Sequence, residues 1–182
     1  GEIRVLKNLI CHLPVGVIQK TIHKEGVGML EHDVLVIGGG LAGLRAALEA
    51  RSTGVDVAVI SKVHPVRSHS NAAQGGINAA LTDRGDTWEE HAYETVKGSD
   101  YLGDQDAIEV LCEEAGQAII ELEHMGVVFS RDETGHLGTR SFGGQQRART
   151  FFVADFTGQA MLHVMYEQMI KSGIQVYEEW FL

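Results

Sequence analysis

The sequence predicts an α/β fold in which helices flank a parallel sheet. Asp33-Val34-Leu35-Val36-Ile37 is a short apolar run rich in β-branched residues that ends in glycines, the pattern of a strand buried on both faces. From residue 41 to 53 the apolar residues Leu41, Leu44, Ala47 and Leu48 recur at helical spacing. Residues 55–60 then repeat the buried-strand pattern. Strand, turn, helix, strand is the order of a βαβ unit.

Each element has its local reasons. Ala42, Ala46 and Ala50 are strong helix formers, and Gly54 suits a C-terminal cap. Residues 61–76 are polar, with Pro65 and two glycines, and predict a loop. Residues 83–86 predict a turn. Thr87 with Glu90 three residues on resembles a capping box opening a helix to about Lys97. Asp104 or Gln105 opens a longer helix to about Met125, with Ile108, Leu111, Cys112, Ala115, Ile119 and Leu122 on its apolar face. Gly126 ends it. Val127-Val128-Phe129 predicts a short strand, 131–138 a turn-rich hairpin, and Phe151-Phe152-Val153 another strand. A helix from about Gln159 to Lys171, capped by Gly173, precedes a strand over 174–180. Met161, Met165 and Met169 form a packing stripe on that helix, and His163 reads as a satisfied core residue.

Composition narrows the function classes. Formal charge is −10 and pI near 5.3, which argues against nucleic acid and against a basic membrane-surface patch. No run of about 18 apolar residues exists, so no segment inserts directly in a membrane. The apolar stretch 9–18 is interrupted by His12 and Pro14, which disfavours a secretory signal. Cys11 and Cys112 sit in no CxxC or Cys/His pattern and read as free thiols, with no metal site.

Residues 1–30 fit the pattern poorly and form a separate segment from 31–182. Lys24-Glu25-Gly26 can be encoded by AAGGAGG, a ribosome-binding sequence, shortly before the codon for Met29. One reading therefore starts the native protein at Met29; the other is a genuine N-terminal extension.

The chemistry lies in two stretches. Gly38, Gly40 and Gly43 match G-x-G-x-x-G within Gly38-Gly39-Gly40-Leu41-Ala42-Gly43. The first permits a tight turn, the second lets backbone approach a pyrophosphate, and the third lets helix and strand pack closely. Free N–H groups at the helix N-terminus face the phosphates. Between a buried strand and an amphipathic helix, the motif predicts a Rossmann-like dinucleotide site. Where an acidic residue normally binds the ribose, this chain has Ser61-Lys62, which counts against a plain NAD dehydrogenase. The Ser61 hydroxyl is the candidate replacement.

The second stretch is Arg67-Ser68-His69-Ser70-Asn71-Ala72-Ala73-Gln74-Gly75-Gly76. It resembles the FAD-attachment signature of succinate dehydrogenase and fumarate reductase flavoprotein subunits. The resemblance continues through residues 95–105, 121–126, 140–144 and 155–163, although Gln159 stands where the family more often has histidine. It implies an FAD-binding domain, incomplete here and cut before the capping domain. It implies covalent FAD on His69, whose neutral imidazole is a nucleophile near pH 7. Ser68, Ser70 and Ala73 let a flat ring lie against backbone. Gln74 and the N–H groups around Gly75 and Gly76 are candidates to hydrogen-bond the ring edge. Phe142 is the candidate beside the substrate, while Arg147 and Arg149 read as solvated or structural.

The same resemblance implies removal of a proton and a hydride from adjacent carbons of succinate, or the reverse reduction of fumarate. Its partners would be an iron–sulfur subunit and membrane-anchor subunits, with the dicarboxylate as substrate. The location implied is cytoplasmic, peripheral on the inner face of the cell membrane through those partners. The family's proton-donating arginine and carboxylate clamp have no counterpart in these residues, so the chain alone is expected not to turn over succinate. An L-aspartate oxidase is an alternative, but it binds FAD without a covalent bond and lacks the histidine at the position of His69. A non-catalytic nucleotide-binding module is a further alternative, and flavin content separates it.

Overall fold

In the computed structural model the chain divides into two compact units, one reaching to Ala72 and resuming at Met161–Leu182, the other spanning Ala73–Ala160. Residues 22–24 and 27–182 are described, with side chains from Leu30 onward. The readings of residues 1–21 and of Cys11 lie outside the described residues. Strands β1 (Ile22–Lys24) and β2 (Val27–Leu30) form an antiparallel pair.

The first unit holds a three-stranded parallel sheet. β4 (Val57–Ser61) lies in the middle, between β3 (Val34–Ile37) and β8 (Gln175–Glu178). Every residue of β4 is buried, as expected of a central strand covered on both faces. Helix α1 (Leu41–Ser52) packs on β3 and β4 through Leu44, Ala47 and Ala50. Leu35, Ala58 and Ile60 form an apolar cluster with Tyr177 and Trp180. His32 joins two elements, bonding Asp56 at 2.6 Å and the Tyr177 hydroxyl at 2.8 Å. Gly54, at φ +89°, follows the α1 cap Thr53 as expected.

The second unit pairs α2 (Trp88–Gly98) with α3 (Gln105–Met125), beside an antiparallel sheet. In that sheet β7 (Thr150–Phe151) is central, flanked by β5 (Ile77–Asn78) and β6 (Thr139–Arg140). The helix ends follow the sequence reading. Thr87 accepts from the Glu90 N–H at 3.2 Å, Asp104 caps α3 by accepting from the Ala107 N–H, and Gly126 closes α3 at φ +120°. The capping box is only half made, because the Glu90 carboxylate takes Arg147 at 2.9 Å. Helix α4 (Thr157–Lys171) carries the chain from the second unit to the first; it starts two residues earlier than expected, where the Thr157 hydroxyl accepts from the Val153 N–H.

The least expected feature is an arginine at the centre of the second unit. Arg149 is 1% exposed. It grips Asp86 with two 2.9 Å hydrogen bonds and stands 3.0 Å from Glu94. The neighbouring His91 is also buried. Burial and the Arg149 charge lower its pKa from 6.5, against the opposing pull of Asp86 and Glu94.

Three sequence expectations are corrected. Residues 127–129 form no strand: Val127 and Phe129 are buried, but the Val127 N–H closes back on Leu122 and no ladder partner lies alongside. Leu111 is 62% exposed, because Cys112, one position around the helix, is fully buried and takes the inward direction. His163 is exposed for the same reason: Leu162 points inward beside the buried Met161, Met165 and Met169.

Two outcomes follow from the buried cluster. Arg149→Ala removes the buried cation shared by Asp86 and Glu94 and should cost about 3–5 kcal/mol, read from the urea midpoint. Native His91 binds its proton less readily than the unfolded chain. Its contribution to stability is therefore complete above pH 6.5 and lost as pH falls from there toward the lowered native pKa. His91→Gln should flatten that part of the stability profile.

Candidate functional site

The glycine turn is built from the end of β3. Gly38 sits at φ +111°, and its N–H donates to the Ile60 carbonyl at 2.9 Å, tying the turn to β4. Gly39 is buried, and a Cβ there would lie 2.8 Å from the Ser61 Oγ. At Gly43 a Cβ would fall 1.8 Å from the Gly38 carbonyl oxygen. No side chain fits, so α1 begins directly on the strand end. The serines stand opposite the third glycine of the turn: a Cβ on Gly40 would be 3.3 Å from the Ser70 Oγ and 3.6 Å from that of Ser68.

This arrangement suits an anion. The N-cap of α1 is Gly40, which has no side chain to cap the helix, and the first turn holds no acid. Ser70 accepts from the Leu41 N–H at 3.3 Å. The Ser68 hydroxyl is buried without a hydrogen-bond partner among the described residues. An orphaned hydroxyl beside a helix N-terminus whose cap residue has no side chain is a fit for a phosphate oxygen. Ala42 and Lys62 are exposed, while Ser61 is buried with its hydroxyl beside Gly39 and its carbonyl accepting from the Trp180 N–H.

His69 opens a single 3-10 turn, His69–Ala72, and is exposed. Its surroundings are held by a residue the sequence reading passed over. His64 caps the preceding 3-10 turn, Pro65–Arg67, by accepting from the Val66 N–H. Its other ring nitrogen lies 3.3 Å from the Tyr166 hydroxyl and 3.6 Å from Glu178. The only advance signal was a histidine just before Pro65.

The motif then enters the second unit. Ala73 and Gln74 are exposed. The Ala73 carbonyl accepts from the Gly158 N–H at 2.8 Å. Gly76, at φ +111°, lies so near β7 that a Cβ would meet the Phe151 carbonyl at 2.5 Å. A Cβ on Gly75 would stand 3.2 Å from the Phe142 ring, which is half exposed. Gly75, Gly76, His91, Leu111, Phe142 and Thr150 line a cavity of about 470 Å³. The Phe142 N–H donates to the Gln145 side chain, whose amide donates to the Thr150 hydroxyl. Arg149 serves the core, while the exposed Arg147 pairs with Glu90.

The family described as FAD binding domain matches residues 33–182. The chain belongs to the FAD-binding domain family. Within that family it is 52% identical over 158 residues to the succinate dehydrogenase flavoprotein subunit of Rickettsia bellii, covering 82% of this chain and 26% of the relative. It is 46% identical over 154 residues to a Mycobacterium tuberculosis fumarate reductase flavoprotein subunit, covering 83% and 26%. Among solved structures, an E. coli quinol fumarate reductase superposes with TM-score 0.75 at 38% identity, over 80% of this chain and 25% of that one. The Mycobacterium smegmatis Sdh1 complex superposes with TM-score 0.77 at 32% identity, over 80% and 27%. The chain thus spans about a quarter of the length of the curated relatives it matches. Over these residues the chain is thus similar to flavoprotein subunits of both the succinate dehydrogenase and the fumarate reductase name.

Gly43→Ala should destabilise the protein by about 1–3 kcal/mol, since backbone must move to admit the methyl group. Bound flavin per chain, measured by absorbance, should fall with it.

Proposed function

We propose that this chain is the FAD-binding portion of a flavoprotein subunit that oxidises succinate to fumarate or runs the reverse reaction. The identities of 52% and 46% to flavoprotein subunits of both names support the reading, and neither direction is preferred. Among the chain's own features, the exposed His69 within an otherwise intact attachment motif carries it.

The bound FAD would supply the two-electron acceptor for a hydride from the dicarboxylate. The residues of this chain bind and orient. Gly38–Gly43 and the Ser68 and Ser70 hydroxyls would hold the diphosphate at the α1 N-terminus. Ser61 and Lys62 stand at the end of β4, where such domains place the ribose contact. His69 would bond covalently to the flavin; its exposure gives a reacting carbon access to the ring. Ala73, Gln74, Gly75 and Gly76 would border the isoalloxazine, and Phe142 would lie beside the substrate. Arg147 and Arg149 are committed to carboxylates in the second unit and are not proposed as dicarboxylate ligands.

The electrons would leave through an iron–sulfur subunit to quinone. Membrane-anchor subunits would hold the protein at the inner face of the cell membrane, on the cytoplasmic side. Among the described residues no helix is long and apolar enough to cross a membrane, which suits a peripheral attachment.

His69→Ala in the full-length protein tests the covalent link. Acid precipitation of the wild type should carry the flavin down with the protein, and the variant should release it to the supernatant. A wild type that releases all its FAD would favour the free-flavin, aspartate oxidase-like reading.

A further inference from the structure

Four arginines of the described chain pair with acids: Arg45 with Glu49, Arg131 with Glu123, Arg147 with Glu90, and Arg149 with Asp86 and Glu94. Arg51 and Arg84 donate to backbone carbonyls, and so does Arg140. It is half-buried on β6, and among the described residues no carboxylate pairs with it. Its donors go to backbone instead. Nη2 donates to the Gln74 carbonyl at 2.9 Å and to the Gly75 carbonyl at 2.5 Å, and Nε reaches the Gly75 carbonyl at 3.2 Å. The guanidinium lies over the Phe152 ring, 4.5 Å from its centroid.

These contacts have a geometric consequence. In a trans peptide the carbonyl and the following N–H point in opposite directions. Fixing the Gln74 carbonyl therefore fixes the Gly75 N–H, and fixing the Gly75 carbonyl fixes the Gly76 N–H. Both N–H groups are turned away from Arg140, and among the described residues neither finds an acceptor. The rest of the frame is rigid. β6 pairs Arg140 with Thr150, β7 pairs Thr150 with Asn78, and Gly76 is pressed against the Phe151 carbonyl. Glycine peptides are otherwise the most free to rotate, so a planar fork on two consecutive carbonyls removes the freedom where it is greatest.

We propose that Arg140 is a positioning residue that aims the Gly75 and Gly76 N–H groups as a pair of donors at the acceptor edge of the bound flavin, with its own uncompensated charge behind them. The inference rests on the flavin reading above. Aimed donors stabilise a ring that gains negative charge on reduction, so Arg140 raises the ring's affinity for electrons.

The test uses the full-length flavoprotein with its partner subunits. Flavin content, covalent attachment, thermal midpoint and flavin midpoint potential are compared for wild type, Arg140→Gln and Arg140→Lys. Arg140→Gln should keep its flavin while the equilibrium constant for flavin reduction falls about tenfold, the value of roughly one charge-assisted hydrogen bond. Arg140→Lys retains the charge but not the fork, and should fall between the other two. It carries the test if Arg140→Gln does not fold. An unchanged potential in a flavin-loaded variant would overturn the proposal while leaving the flavin reading intact. A wild type that holds no flavin would overturn the flavin reading and this proposal together.

Discussion

The first unit depends on the absence of a single methyl group. With a Cβ on Gly43 placed 1.8 Å from the Gly38 oxygen, α1 can start on the end of β3 only because Gly43 has none. The same contact sets where the helix N-terminus points. From there the order spreads outward. The Gly38 N–H locks to Ile60 on β4, Ser61 and Pro65 pack against Gly39, and Ser70 reaches the Leu41 N–H. The loop carrying His69 is thus held to the turn by serine and proline contacts, and at its start by His64 against Tyr166 and Glu178. A helix N-terminus whose cap residue has no side chain and an exposed histidine emerge from one close approach of backbone to backbone.

The second unit is organised by charge. Arg149, Asp86 and Glu94 are expensive to bury and fail badly if one is removed. What they provide is a fixed place for Thr150, the residue after Arg149. Thr150 binds the Asn78 side chain and takes the Gln145 amide, which in turn holds the Phe142 N–H. β7 then serves as the rail on which β5 and β6 align, and through them Gly76 and Arg140. The second unit's glycine pair is therefore held by side-chain chemistry, whereas the first unit's turn is held by sterics.

Much of this was readable in the sequence where the governing interactions are local. The extents of α1 and α3, the caps at Thr87, Asp104 and Gly126, and the glycine turn all follow from residues within a few positions of one another. Side-chain direction was less readable. Leu111 and His163 each sit one position from a fully buried neighbour, Cys112 or Leu162, and apolar spacing alone could not choose between adjacent positions. Residues 127–129 have strand composition, but a strand needs a partner and none is aligned beside them. The partnership of Arg149 with Asp86 joins residues 63 positions apart, and nothing in the local pattern of either announces it. His64 and Arg140 were hidden for the same reason: their roles lie in what they reach across the fold.

The central claim is that the α1 N-terminus, framed by Gly38–Gly43 and the Ser68 and Ser70 hydroxyls, is where the FAD diphosphate binds. The most direct measurement is an experimental structure of the flavin-loaded full-length protein. The account predicts diphosphate oxygens within hydrogen-bond distance of the first N–H groups of α1, with the Ser68 hydroxyl no longer unpartnered. A diphosphate seated away from this turn, with Ser68 still unpartnered, would contradict it.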